Sequence, residues 1–106
     1  MPDYFEKTLV AACCEVAQAM GAHLEVIGQR NARGSGTTVG APDALLVCCG
    51  QVRLIEFKTA DGRLSLAQKS RIYERAEQHV DTDVVRSVNE FVALVNSCRR
   101  QPVAPL

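Results

Sequence analysis

The stretch that most constrains this chain is its middle, where Ala44-Leu45-Leu46-Val47-Cys48-Cys49 runs apolar without a break and Gly50-Gln51 supplies a turn. An apolar run of this length with no alternation fits a strand covered on both faces, which demands a sheet with helices packed against it. The segment after the turn, residues 51 to 59, does alternate. Ile55 and Phe57 fall on one face and Val52, Leu54, Glu56 and Lys58 on the other. Two strands joined this closely form a hairpin.

The flanking sequence is helical on one side and mixed on the other. Over residues 4 to 20, Leu9, Val10, Cys13, Val16, Ala17 and Met20 follow three-and-four spacing, with Lys7, Ala11, Glu15 and Gln18 opposite and Gly21 as the stop. Residues 23 to 29 read as a short strand, and Arg30 to Pro42 as a glycine-punctuated loop. Beyond the hairpin, Asp61-Gly62 is a turn, and Ser65 with Gln68 forms a capping box that opens a helix to about His79. Residues 83 to 88 are a further strand. Ser87 with Glu90 makes a second box, heading a helix striped with Phe91, Val92, Leu94 and Val95. The order α-β-β-β-α-β-α predicts an α/β fold in which helices flank a mixed sheet and a last helix follows the core.

With 106 residues, the sequence has room for one domain, taken as 1–106. A hydrophobic share of 47% and a charged share of 23% exclude disordered and fibrous classes, and no apolar window is long enough to span a membrane. The start of the chain carries Asp3 and Glu6 where a secretory leader would be basic. Five cysteines, with no CxxC spacing, read as small apolar filler in a reducing cytoplasmic setting. Twelve basic and twelve acidic residues cancel, which argues against a partner held by a general field. The charge is uneven, however, at −3 over residues 1 to 28 and +3 over residues 29 to 79, so an anion belongs in the middle of the chain.

Several side chains stand out as chemistry-bearing. Glu56 and Lys58 are two residues apart on one strand face, roughly 7 Å at Cα, close enough to serve one ligand or to form a solvated ion pair. Asp43 follows Pro42 at the mouth of the preceding strand, and a hairpin neighbour brings it to Glu56. Two such carboxylates raise one another's pKa, and a divalent cation relieves the repulsion; the simpler reading of Asp43 is a turn former. Glu6 projects onto the apolar stripe of its helix, although Asp3 and Glu6 also have capping-box spacing. Gln68, Arg71, Arg75 and Gln78 form a polar stripe, either a solvated face or a grip on phosphates. Arg30, Asn31 and Arg33 in the loop are the other phosphate candidates.

Gly40, Pro42-Asp43, Glu56-Phe57-Lys58, Gly62, Leu64-Ser65 and Gln68, followed by Val84 to Phe91, together resemble the PD-(D/E)xK nucleases, and specifically their VRR-NUC branch. The resemblance runs from about Glu6 to Leu94 and implies a restriction-endonuclease-like core. It further implies metal-dependent hydrolysis of DNA phosphodiesters, with Asp43, Glu56 and the Phe57 carbonyl binding Mg²⁺ or Mn²⁺ and Glu6 completing the site directly or through water. Lys58 would orient the attacking water, and Gln68 would be either the family's catalytic glutamine or only a helix cap. No histidine is required, which leaves His23 and His79 as surface residues. Stand-alone members of this branch look like homodimers that cut branched DNA such as Holliday junctions, from a phage or bacterial cytoplasm. Aromatic residues number only five, which supplies little base stacking, so shape and phosphate recognition fit better. The alternatives are a restriction or repair nuclease acting on ordinary duplex or flap DNA, and a non-catalytic DNA-binding module.

Overall fold

The computed structural model describes residues 2–27 and 40–101. They form α1 (Pro2–Ala19), β1 (His23–Val26), β2 (Ala44–Cys48), β3 (Gln51–Phe57), α2 (Leu66–Glu77), β4 (Thr82–Val85) and α3 (Val88–Arg100). The order is the predicted one, and the boundaries shift by a few residues. One shift matters: β3 stops at Phe57, so Lys58 stands just past the strand rather than within it. Arg30, Asn31 and Arg33 lie outside the described residues.

The sheet runs β1-β2-β3-β4, antiparallel at its first two pairings and parallel between β3 and β4, with α2 as the crossover. In the hairpin Ala44 pairs with Ile55 and Cys48 with Gln51, leaving Cys49 and Gly50 as the two-residue turn. Both turn residues have positive φ, 54° at Cys49 and 81° at Gly50, the backbone a tight hairpin requires. Cys49 is exposed there, whereas Cys13, Cys48 and Cys98 are the buried filler the sequence suggests, and all are free thiols.

α1 and α3 pack on each other and on one face of the sheet. Cys13 and Ala17 from α1 meet Phe91, Val95 and Cys98 from α3 over Ala44, Leu46, Ile55, Phe57 and Val85, and Leu9, Val10, Val16 and Met20 complete the stripe. The opposite face is more open. Ala44, Leu46 and Cys48 are buried, but Leu45 is only half-buried and Val47 is 37% exposed, which corrects the expectation of a strand covered on both sides. The reason is α2, the helix on that face, which buries none of its residues. Between β3 and β4, Arg53 clasps Asp83 through two hydrogen bonds, Nε to Oδ2 at 2.8 Å and Nη2 to Oδ1 at 3.2 Å.

The two predicted capping boxes differ. Ser65 and Gln68 form the complete box, with Ser65 Oγ accepting from Gln68 N at 3.1 Å and Gln68 Oε1 accepting from Ser65 N at 2.8 Å. Ser87 Oγ likewise accepts from Glu90 N at 3.1 Å, but the Glu90 carboxylate reaches one residue further and accepts from Arg86 N at 2.7 Å.

Candidate active site

The hairpin register decides which side chains meet. Because Ala44 faces Ile55, the next position outward sets Asp43 against Glu56, and the backbone confirms the continuation: Asp43 N donates to the Ile55 carbonyl at 2.9 Å, and Ile27 N donates to the Asp43 carbonyl at 2.8 Å. Asp43 is thus fixed from both neighbouring strands. Its side chain then turns to the main chain of β3, where Oδ2 accepts from Phe57 N at 2.8 Å.

Glu56 is 1% exposed, the only buried polar or charged residue among those described. Gln68 Nε2 donates to its Oε2 at 2.7 Å, whereas Oε1 is buried with no hydrogen-bond partner. Burial, and then the charge of Asp43, push the Glu56 carboxyl up to about 8; the Lys58 ammonium pulls the other way and Glu6 adds to the rise. A carboxyl with an orphaned oxygen and a second carboxylate beside it is under electrostatic stress that a cation would relieve.

Lys58 is half-buried, with 14% of its side chain accessible, and its Nζ lies 3.9 Å from Glu6 Oε2 of α1. Its backbone N donates to the Val85 carbonyl at 3.0 Å, extending the parallel ladder by one residue beyond β3. A cleft of about 350 Å³ opens beside these groups, lined by Glu6, Lys7, Val10, Val26, Asp43 and Phe57 among others.

Among the described residues, no three His, Cys, Asp or Glu side chains form a metal-holding group by themselves. Glu6 stands 3.9 Å from Lys58 and lines the same cleft as Asp43. The donors at hand are two carboxylates and the main chain at Phe57, a hard-oxygen set. Together with the partnerless Glu56 Oε1, that set fits a divalent cation such as Mg²⁺ or Mn²⁺.

The Gln68 amide is used at both ends. The oxygen closes the capping box and the nitrogen holds Glu56. The rest of the α2 stripe divides. Arg71 is exposed and hydrogen-bonded to Glu74 at 3.2 Å. Arg75 turns inward, with Nε on Thr82 Oγ1 at 3.0 Å and Nη1 on the Gly40 carbonyl at 3.5 Å, so it ties α2 to β4 and to the approach to Asp43. Gly40 has φ +85° and lies so close to α2 that a Cβ there would stand 2.6 Å from Arg71 Cγ and 2.7 Å from the Ala67 carbonyl oxygen. His23 and His79 are exposed, His23 beside Glu25 at 3.0 Å.

Sequence reasoning missed Arg86, which it read only as part of a strand. It sits just after β4, and its Nη1 donates to the carbonyls of Gly62 at 2.6 Å, Thr59 at 2.8 Å and Ala60 at 3.4 Å. Nothing in residue spacing marks such a contact, because the turn it grips is more than twenty residues earlier.

No protein-family model matches the sequence, and no curated protein matches it either. Among solved structures the chain is similar to one described as a VRR_NUC domain, at 19% sequence identity with a TM-score of 0.67, over 86% of this chain and 94% of that one. The chain therefore shares the fold of that VRR_NUC domain, and its helices flanking a mixed sheet are those the sequence predicts.

Proposed function

We propose that this protein is a divalent-metal-dependent DNA endonuclease, selective for branched DNA and active as a homodimer. The observation that carries the reading is the convergence of Asp43, Glu56 and Lys58 at one end of the sheet, with a buried Glu56 oxygen that has no protein partner. Shared fold adds to it, but fold alone does not assign activity.

Asp43, Glu56 and the Phe57 carbonyl would hold Mg²⁺ or Mn²⁺. When bound, such an ion lowers the pKa of water and polarises a phosphoryl oxygen. The protein's own groups do the rest. Lys58, fixed in its backbone by Val85 and accompanied by Glu6, presents an ammonium that orients an attacking water and offsets charge building on the phosphate. Gln68 fixes the orientation of the Glu56 carboxyl, and Asp43 is held against β3 through the Phe57 amide. Arg71, paired with Glu74, and Lys69 are the exposed cations of α2 that would meet backbone phosphates.

Selectivity for branched DNA and a paired assembly are what the resemblance to stand-alone members of the VRR-NUC branch implies. Few aromatics leave little to stack on single strands, which suits recognition by shape and phosphate, and two sites related by a twofold axis suit two symmetric cuts. The test is cleavage of end-labelled four-way junction, flap and plain duplex DNA with Mg²⁺, Mn²⁺ or EDTA, wild type beside Lys58→Ala. Metal-dependent cutting of the junction, lost in the variant, is the expected result. Equal cutting of plain duplex would remove the branched preference, and folded protein that cuts nothing would sink the nuclease reading.

A further inference from the structure

We infer that Arg86 is a positioning residue for this site, setting the places of Lys58 and Gln68 through the turn that joins β3 to α2. The inference rests on the nuclease reading above for its kinetic consequence, but not for its structural one.

Residues 56 to 68 form a loop that begins and ends at the site. It starts with Glu56 and Lys58, turns at Thr59–Gly62, enters the Ser65 cap and returns to Glu56 through the Gln68 amide. The turn itself is closed by Gly62 N donating to the Thr59 carbonyl at 3.1 Å. It is also crowded, since a Cβ on Gly62 would stand 2.9 Å from Thr59 Oγ1 and 3.5 Å from Lys58 Cδ. Such a turn shows three carbonyls outward, and Arg86 Nη1 collects those of Thr59, Ala60 and Gly62. The bonds to Thr59 and Gly62 clamp both ends of the turn, and therefore the separation between Lys58 and the helix that carries Gln68.

Arg86 can serve as a fixed reference because its own backbone is tied to the core. The residue before it, Val85, is buried and accepts from Lys58 N. Its own N donates to Glu90, on a helix that sends Phe91, Val95 and Cys98 into the core. A chain of contacts thus runs from α3 through Arg86 to the turn, and from the turn to both Lys58 and Gln68. Arginine suits the post: it is permanently charged, and its rigid planar group holds Nη1 in one direction toward the carbonyls. Lysine would bring a single ammonium on a flexible stem.

The experiment compares wild type with Arg86→Ala and Arg86→Lys, first without metal or DNA. In wild type the Gln68 side-chain NH₂, held by Glu56, gives a displaced and exchange-protected amide pair in the nitrogen–proton NMR spectrum, assigned by its loss in Gln68→Leu. In Arg86→Ala that pair should move to the position of a free side-chain amide while the backbone signals of Phe91 and Val95 stay in place; Arg86→Lys should move it part of the way. With cleavable DNA and Mg²⁺, kcat should fall about 10- to 100-fold in Arg86→Ala, as misplacement of reacting groups predicts, with KM within about twofold. An unmoved Gln68 pair would overturn the inference, as would core signals shifting as far as Gln68, or a raised KM with unchanged kcat. Should Arg86→Ala fail to fold, Arg86→Lys decides on the same signals. If wild type cuts no DNA, the nuclease reading fails while the amide signals still decide the role of Arg86.

Discussion

The helices α2 and α3 begin with the same signature, a serine followed three residues later by Gln or Glu, and they are held in place by opposite means. α3 buries Phe91, Val95 and Cys98 and would stay docked without its cap. α2 buries nothing; Leu66 in its first turn is 81% exposed, and the helix is joined to the rest by polar contacts at Gln68, Arg75 and the Gly40 approach. One helix supports the fold and the other supports the site. A cap signature in sequence announces where a helix starts and nothing about what it is for.

That contrast can be broken most forcefully at Phe91. Phe91→Ala should cost about 3–5 kcal/mol of stability in denaturant unfolding, since the ring is wholly buried, whereas Leu66→Ala should change stability by less than about 0.5 kcal/mol. A large loss at Leu66 would show that α2 is packed after all. Next comes Gln68→Glu, which keeps a competent capping box but replaces the amide donor beside Glu56 with a carboxylate. Cleavage should drop about 10- to 100-fold, as for loss of a group supporting a ligand, with the helix intact by circular dichroism.

The site can also be probed by pH, without DNA. The Glu56 carboxyl titrates near 8 in the folded chain and near its ordinary 4.5 when unfolded, so the folded state holds a proton that the unfolded state has released. Stability of the metal-free protein should therefore be greatest below about pH 4.5, as far as this group is concerned, and be lost progressively up to pH 8. Melting temperatures of wild type and Glu56→Gln in EDTA should diverge over that range, and parallel curves would remove the strain from Glu56. The smallest effects belong to the caps themselves. Ser65→Ala and Ser87→Ala should each cost about 1 kcal/mol, but only Ser65→Ala should also slow cleavage, because only that cap shares its glutamine with the site.

Much of this arrangement is legible in the sequence. Period-two alternation separates Glu56 and Lys58 from Ile55 and Phe57, and hairpin length brings Asp43 to Glu56, because both depend on local geometry. The burial of β2 was not legible: Leu45 and Val47 are apolar whether covered or open, so composition could not reveal that α2 leaves that face partly bare. The fate of the α2 stripe was likewise hidden, since helical spacing places Arg71 and Arg75 on one side but says nothing of a Thr82 hydroxyl waiting for one of them. Arg86 was missed for the same reason, its partners being set by tertiary packing.

The parallel pairing of β4 has one further consequence. A peptide unit is flat and trans, so its N–H and C=O point in opposite directions. By drawing the Lys58 N–H toward Val85, β4 swings the Phe57 oxygen to the other side, where Asp43 stands just ahead of β2. An edge strand that gives no side chain to the site thus aims a carbonyl proposed to hold the metal. Any change that loosened this single inter-strand bond would let the oxygen drift without altering a single acidic residue.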